Sequence, residues 1–97
     1  MAVKRITIEI NSETVSGRSS QQVWDDINEE ILDIDPDYIS PLASERCVET
    51  KLNTRGIYKS LNRHLRSGDK LWVSGLTQWP QFTNIDPKDL AWLKHRL

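Results

Sequence analysis

The octapeptide VKRITIEI, residues 3–10, sets Ile6, Ile8 and Ile10 on one side of an extended chain and Arg5, Thr7 and Glu9 on the other. Alternation with period two is that of a strand with a buried face. A sheet is therefore the frame into which the remaining segments must fit. The polar run Asn11 to Glu13, followed by Thr14, Val15, Ser16 and Gly17, predicts a hairpin with a short return strand.

Beyond the turn the period changes. Ser19 and Gln22 make an S-x-x-Q capping box, in which hydroxyl and amide satisfy the orphan N–H groups of a helix starting near Ser20. At 100° per residue, Val23, Trp24, Ile27, Ile31 and Ile34 share one arc, and Asp25, Asp26, Glu29, Glu30 and Asp33 occupy the opposite side. Asp35-Pro36 stops this helix, because proline lacks the donor and pushes its predecessor out of the α region. The segment PDYISPLAS, residues 36–44, has no sustained period and reads as a loop or single helical turn.

Residues 46–52, RCVETKL, alternate weakly with Val48, Thr50 and Leu52 on one side, and predict a strand. Thr54 is positioned to cap a second helix running through Arg66, with Gly68 ending it in a left-handed conformation and Ile57, Tyr58, Leu61 and Leu65 as its apolar arc. Residues 70–74 follow as a strand with Leu71 and Val73 on one face and Trp72 on the other. After an irregular connection, Asp86-Pro87 starts a last helix whose expected buried stripe is Leu90, Leu93 and Leu97. The order β-β-α-β-α-β-α predicts a small α+β fold. An antiparallel or mixed sheet of three to four strands is packed by about three helices, expected on one face.

With 97 residues, the chain makes one domain spanning 1–97, since neither half would hold enough apolar side chains to fold alone. The 37% hydrophobic and 28% charged residues place it in the globular class rather than among disordered or collagenous chains. No apolar run approaches the ~20 residues that span a bilayer, and charges interrupt the N-terminal stretch MAVKRITIEI, which is unlike a secretory signal. The expected compartment is the cytoplasm, with no membrane association. The single cysteine, Cys47, has no partner for an internal disulfide, and only His64 and His95 accompany it as soft or borderline ligands. No cofactor and no metal site are expected.

Charge is distributed unevenly. From Glu9 to Thr50 there are eleven acids against two bases, Arg18 and Arg46, whereas Lys51 to Leu97 holds nine bases against three acids. The overall net charge is −1, so the two halves nearly cancel. On the second helix Arg55, Lys59, Arg63 and Arg66, with Asn62 beside them, fall on one face, and Lys51 and Lys70 extend it. Such a face fits phosphates or guanine edges. It is equally what an ordinary solvated helix of good helix formers presents. The acidic helix has three readings of the same kind: a docking surface for a basic partner, an internal neutraliser of the basic helix, or a solvated face.

Four tryptophans are many for this length. Trp24 lies at the edge of its helix's apolar arc and belongs to the core, while Trp92 falls ~100° from Leu93 and Trp79, like Phe82, sits in an irregular segment. Exposed aromatics are enriched at interface hot spots, so Trp79, Phe82 and Trp92 are candidates for a contact surface. Walker A, G-x-G-x-x-G, G-x-S-x-G, H-E-x-x-H and C-x-x-C motifs are all missing. Cys47 and His64 could pair as nucleophile and base only if the fold brought them together.

The expected function is a non-enzymatic protein-binding module, a small regulator, adaptor or inhibitor. It would act through Asp25, Asp26, Glu29, Glu30 and Asp33 together with Trp79, Phe82 and Trp92. Self-association is a variant of this reading. The alternative is a nucleic-acid-binding module using Lys51, Arg55, Lys59, Asn62, Arg63, Arg66 and Lys70. The two differ in whether the acidic helix covers the basic one.

Overall fold

The computed structural model describes all 97 residues. Its elements are β1 (Ala2–Glu9), α1 (Ser20–Ile34), β2 (Glu45–Thr50), α2 (Thr54–Asn62), β3 (Lys70–Gly75) and α3 (Pro87–Arg96). The sheet order is β2-β1-β3 with both pairings antiparallel, so the strand read first from the sequence is the central one. This is a small α+β fold of three strands and three helices.

Side chains alternate across β1, and the two sides enter different cores. Ile6 and Ile8 pack with Val48 against Val23, Ile27 and Ile31 of α1 and Ile57 and Leu61 of α2. Val3 faces the other way and packs with Cys47, Ile39, Trp92 and Leu93. The expectation that all helices share one face is therefore corrected. α1 and α2 lie on one side of the sheet and α3 on the other, because Val3 and Cys47 give the second face an apolar patch at its β2 end.

The expected return strand is replaced by a two-residue turn. Val15 and Arg18 exchange both backbone hydrogen bonds at 3.0 Å across Ser16 and Gly17. Both turn residues have positive φ, 52° and 78°, as tight hairpin turns require. The chain then leaves at once for α1, where the capping box forms as read: Gln22 N–H donates to Ser19 Oγ, and Ser19 N–H donates to Gln22 Oε1. The order becomes β-α-β-α-β-α.

α2 differs from its reading at both ends. Its N-cap is Asn53, whose Oδ1 accepts from the Gly56 N–H at 2.8 Å. A side chain at Gly56 would press on that oxygen, its Cβ coming within 3.3 Å. At the other end the helix stops at Asn62, and His64 and Leu65 close tighter i→i−3 bonds instead. Tightening turns Arg66 inward. β2 likewise stops at Thr50, leaving Leu52 exposed.

Arg66 ties the fold together. Its Nε and Nη2 donate to Asp69, its Nη1 to the carbonyls of Glu13 and Arg18, and its Nη2 also to the Asn11 carbonyl. All five guanidinium donors are used. Asp69 in turn accepts from the N–H groups of Asn11 and Arg66. Both side chains are buried, so this pair joins the β1–α1 connection to the α2–β3 connection from inside. Burial alone would push the Asp69 carboxyl up, but the hydrogen bonds from Arg66 and Asn11 and the Arg66 charge hold it below the usual carboxylate range.

The two sheet edges are treated differently. On the outer side of β2, Cys47 exchanges both backbone bonds with Ile39, the Glu49 N–H donates to Asp35 Oδ2, and the Glu45 N–H donates to the Leu42 carbonyl. That edge is sealed. No corresponding segment lies along β3.

Candidate functional site

The charged helices lie side by side on one face of the sheet, and the acidic one does not cover the basic one. On α1, Asp25, Glu29 and Asp33 are exposed. Asp26 is taken by Arg18, whose guanidinium also donates to the His64 carbonyl. Glu30 bridges to α2, receiving Arg63 and lying 3.2 Å from His64 Nε2. The Arg63 hydrogen bond holds the Glu30 carboxyl below its ordinary range; burial opposes this and His64 supports it. Asp26, Glu29, Glu30, Asp33, Arg63 and His64 thus line a wholly polar cleft between α1 and the end of α2.

The basic face loses half of its expected cations. Arg66 is the clearest correction, since its side chain is spent on the interior pair with Asp69. Arg63 is committed to Glu30, and Lys70 stands 3.8 Å from Glu9 in a largely exposed pair. Lys51, Arg55, Lys59 and Asn62 remain exposed, and the three cations among them enter no ion pair.

The opposite face of the sheet carries an apolar groove of about 260 Å³. Its floor is Cys47, Leu76 and Leu93. One wall is Pro41 and Leu42, the other is Pro80, Phe82 and Ile85, and Arg5 and Glu45 pair across its rim at 3.4 Å. Leu42 is 51% exposed, Trp79 43% and Phe82 40%. Large apolar side chains so exposed and so close form a patch of the kind that marks contact surfaces. The Trp79 and Phe82 rings meet edge to face with centroids 5.9 Å apart. Edge-to-face geometry is the favourable one for aromatic quadrupoles and holds the loop's two rings as a ridge.

Trp92, expected at the surface, is buried. Its Nε1 donates to the Asp37 carbonyl at 2.6 Å, and the Arg96 guanidinium lies 4.1 Å from its ring while reaching Asp37 Oδ2 at 2.8 Å. The ring closes the second core because α3 lies against Val3 and Ile39 on its Trp92–Leu93 side; Leu97 of the expected stripe is instead exposed. Cys47 and His64 are on opposite faces of the sheet and form no pair. Burial, with the Glu45 charge, pushes the Cys47 thiol up to about 11, which suits a core residue rather than a nucleophile.

The structure therefore brings Phe82 and Trp79 together at one groove and places the carboxylates of α1 on the far side of the sheet. Arg5, Pro41, Leu42 and Ile85 are site residues that periodicity did not single out. The available signal was Leu42 beside Pro41, an apolar residue in a stretch with no periodic reason to bury it. Comparisons with protein-family models, curated proteins and solved structures find no match in any of the three.

Proposed function

We propose that this chain is a non-enzymatic protein-binding module, whose partner inserts one large apolar side chain into the groove between Leu42 and Phe82. The observation that carries this reading is the groove's size and lining. Its volume of about 260 Å³ lies at the small end of the roughly 300–1,000 Å³ of small-molecule sites and gives room for a single bulky side chain. Its lining is mostly apolar, with Gln81 and Thr83 the uncharged polar members, and its only charges, Arg5 and Glu45, are already paired with one another, so the anchor is a neutral aliphatic or aromatic residue. Trp79 beside the groove supplies the flat aromatic area that interface hot spots favour. The module acts by occupying its partner, as a small adaptor or inhibitor does. The α1 carboxylates face another direction and contribute long-range steering rather than direct contact.

Recovery of interactors from the native host tests this, using wild type, Phe82→Ala, Leu42→Asp and the double reversal Arg55→Glu/Lys59→Glu, each with and without nuclease. Truncating a hot-spot aromatic removes about 2 kcal/mol or more. The groove variants should therefore lose the interactor at least about tenfold, and the reversal should keep it regardless of nuclease. Interactors kept by both groove variants and lost on charge reversal would refute the proposal.

A second reading rests on Lys51, Arg55 and Lys59, which are exposed and unpaired. Three phosphate contacts would give a salt slope of about −2.7 on duplex DNA, a weak and sequence-independent interaction. A gel-shift series at low salt decides this reading, and the absence of any shift removes it.

A further inference from the structure

The sheet has one sealed edge and one open one. In β1 the even-numbered residues bond toward β2, as the Ile8 N–H to the Ser44 carbonyl shows, and the odd-numbered ones toward β3, as the Leu76 N–H to the Val3 carbonyl shows. The register then fixes β3: Lys70, Trp72 and Ser74 direct their main-chain groups at β1, and Leu71, Val73 and Gly75 direct theirs outward. No hydrogen bond from the rest of the chain reaches those outward groups. Folded chains blunt such an edge with proline, bulges or several charges. β3 has only Lys70 at its first position. At its centre stands Trp72, 69% exposed, the most exposed aromatic ring of the chain.

We infer that β3 is a dimerisation strand, through which two copies of this chain join antiparallel into one six-stranded sheet with Trp72 facing Trp72 of the second copy. Leu71-Trp72-Val73 reads as apolar, tryptophan, apolar from either end. A twofold axis through Trp72 therefore sets Leu71 opposite Val73 of the second copy twice, forming four main-chain hydrogen bonds. The two indoles fall at a non-hydrogen-bonded site, where Cα atoms approach to about 4.5 Å and side chains pair most closely. Charge selects the same arrangement. In it Lys70 lies opposite the neutral Ser74, whereas a parallel in-register seam would set the two ammonium groups side by side. Two tryptophans bury at most about 300–500 Å², and the short seam stays below the roughly 1,200 Å² of stable interfaces. The dimer is accordingly weak and concentration-dependent. It is independent of the groove, which opens on loops 41–42 and 76–85.

Sedimentation velocity from about 10 µM to 1 mM, a span chosen for a weak interface, together with amide hydrogen exchange at the same concentrations, tests this. Expected are a mass rising toward two chains, slowed exchange at the Leu71 and Val73 amides as it rises, a Trp72→Lys variant that stays at one chain, and a Phe82→Ala variant that dimerises as wild type does. Trp72→Cys should give a disulfide-linked dimer under mild oxidation, since the facing Cα atoms fall within the ~4.4–6.8 Å that a disulfide spans. Trp72 is exposed, so these variants fold, and an unchanged circular dichroism spectrum verifies it. A single-chain mass throughout, a dimer whose Leu71 and Val73 amides still exchange freely, or a dimer kept by Trp72→Lys would overturn the inference. Protection appearing only when a different protein is added would assign the edge to that protein instead.

Discussion

Replacing Arg66 by methionine keeps an unbranched apolar stem and removes the buried guanidinium, with its charge and all five donors. The carbonyls of Asn11, Glu13 and Arg18 then lose a partner, and Asp69, with no exposed side-chain surface, keeps only the N–H groups of Asn11 and residue 66. Breaking a buried pair by removing one partner costs about 3–5 kcal/mol, a large share of the roughly 5–15 kcal/mol that holds a domain folded. At about 4–8 °C per kcal/mol for a chain of this size, Arg66→Met should melt at least ~12 °C lower than wild type by circular dichroism at pH 7. Lys70→Ala, which removes only the solvated pair with Glu9, should stay within the ~0–1 kcal/mol of surface ion pairs. The Asp69 pKa is depressed in the fold. Its stabilisation is therefore complete above the unfolded value near ~3.9 and is lost as pH falls through the folded value. The gap between wild type and Arg66→Met should thus narrow below that point. An Arg66→Met variant melting within ~5 °C of wild type, no worse than a surface-pair loss, would refute the interior role given to this pair.

The Cys47 thiol, raised to about 11 by burial, should react with a chromogenic disulfide at pH 8 at least about a hundredfold more slowly than free cysteine, whose pKa is near ~8.5; urea should abolish the difference. Ser19→Ala removes the α1 N-cap acceptor and should lower stability by about 1 kcal/mol in urea titration, with an unchanged dependence on denaturant.

The fold was legible wherever one period ran undisturbed. VKRITIEI gave a strand, Ser19 with Gln22 gave the start of α1, and Asp86-Pro87 gave the start of α3, each because the deciding interaction lies within a few residues. What the sequence could not convey was long-range pairing. Arg66 falls by phase on the exposed face of the helix expected to run through it, yet α2 ends at Asn62, and the carbonyls of Asn11, Glu13 and Arg18 with the carboxylate of Asp69 draw its side chain inside. Trp92 lies off the leucine stripe of α3, yet the Asp37 carbonyl and the Val3 side of β1 bury it. Val3 itself carried the sign of a second core, one odd-numbered apolar residue in a strand whose other isoleucines are even-numbered. Of the site, Trp79 and Phe82 were readable as aromatics without periodic reason to be buried. Their opposite wall, Pro41 and Leu42, is 40 residues away in sequence and comes near only because Ile39 is pinned to Cys47 at the β2 edge.

The groove's role is tested most directly by site-specific photocrosslinking in the native host, with a benzophenone amino acid at position 82 compared with positions 29 and 59. The proposal predicts a discrete protein adduct from position 82 that survives nuclease and disappears when Leu42→Asp is introduced. Adducts arising only from position 59 and vanishing with nuclease, with none from position 82, would contradict it.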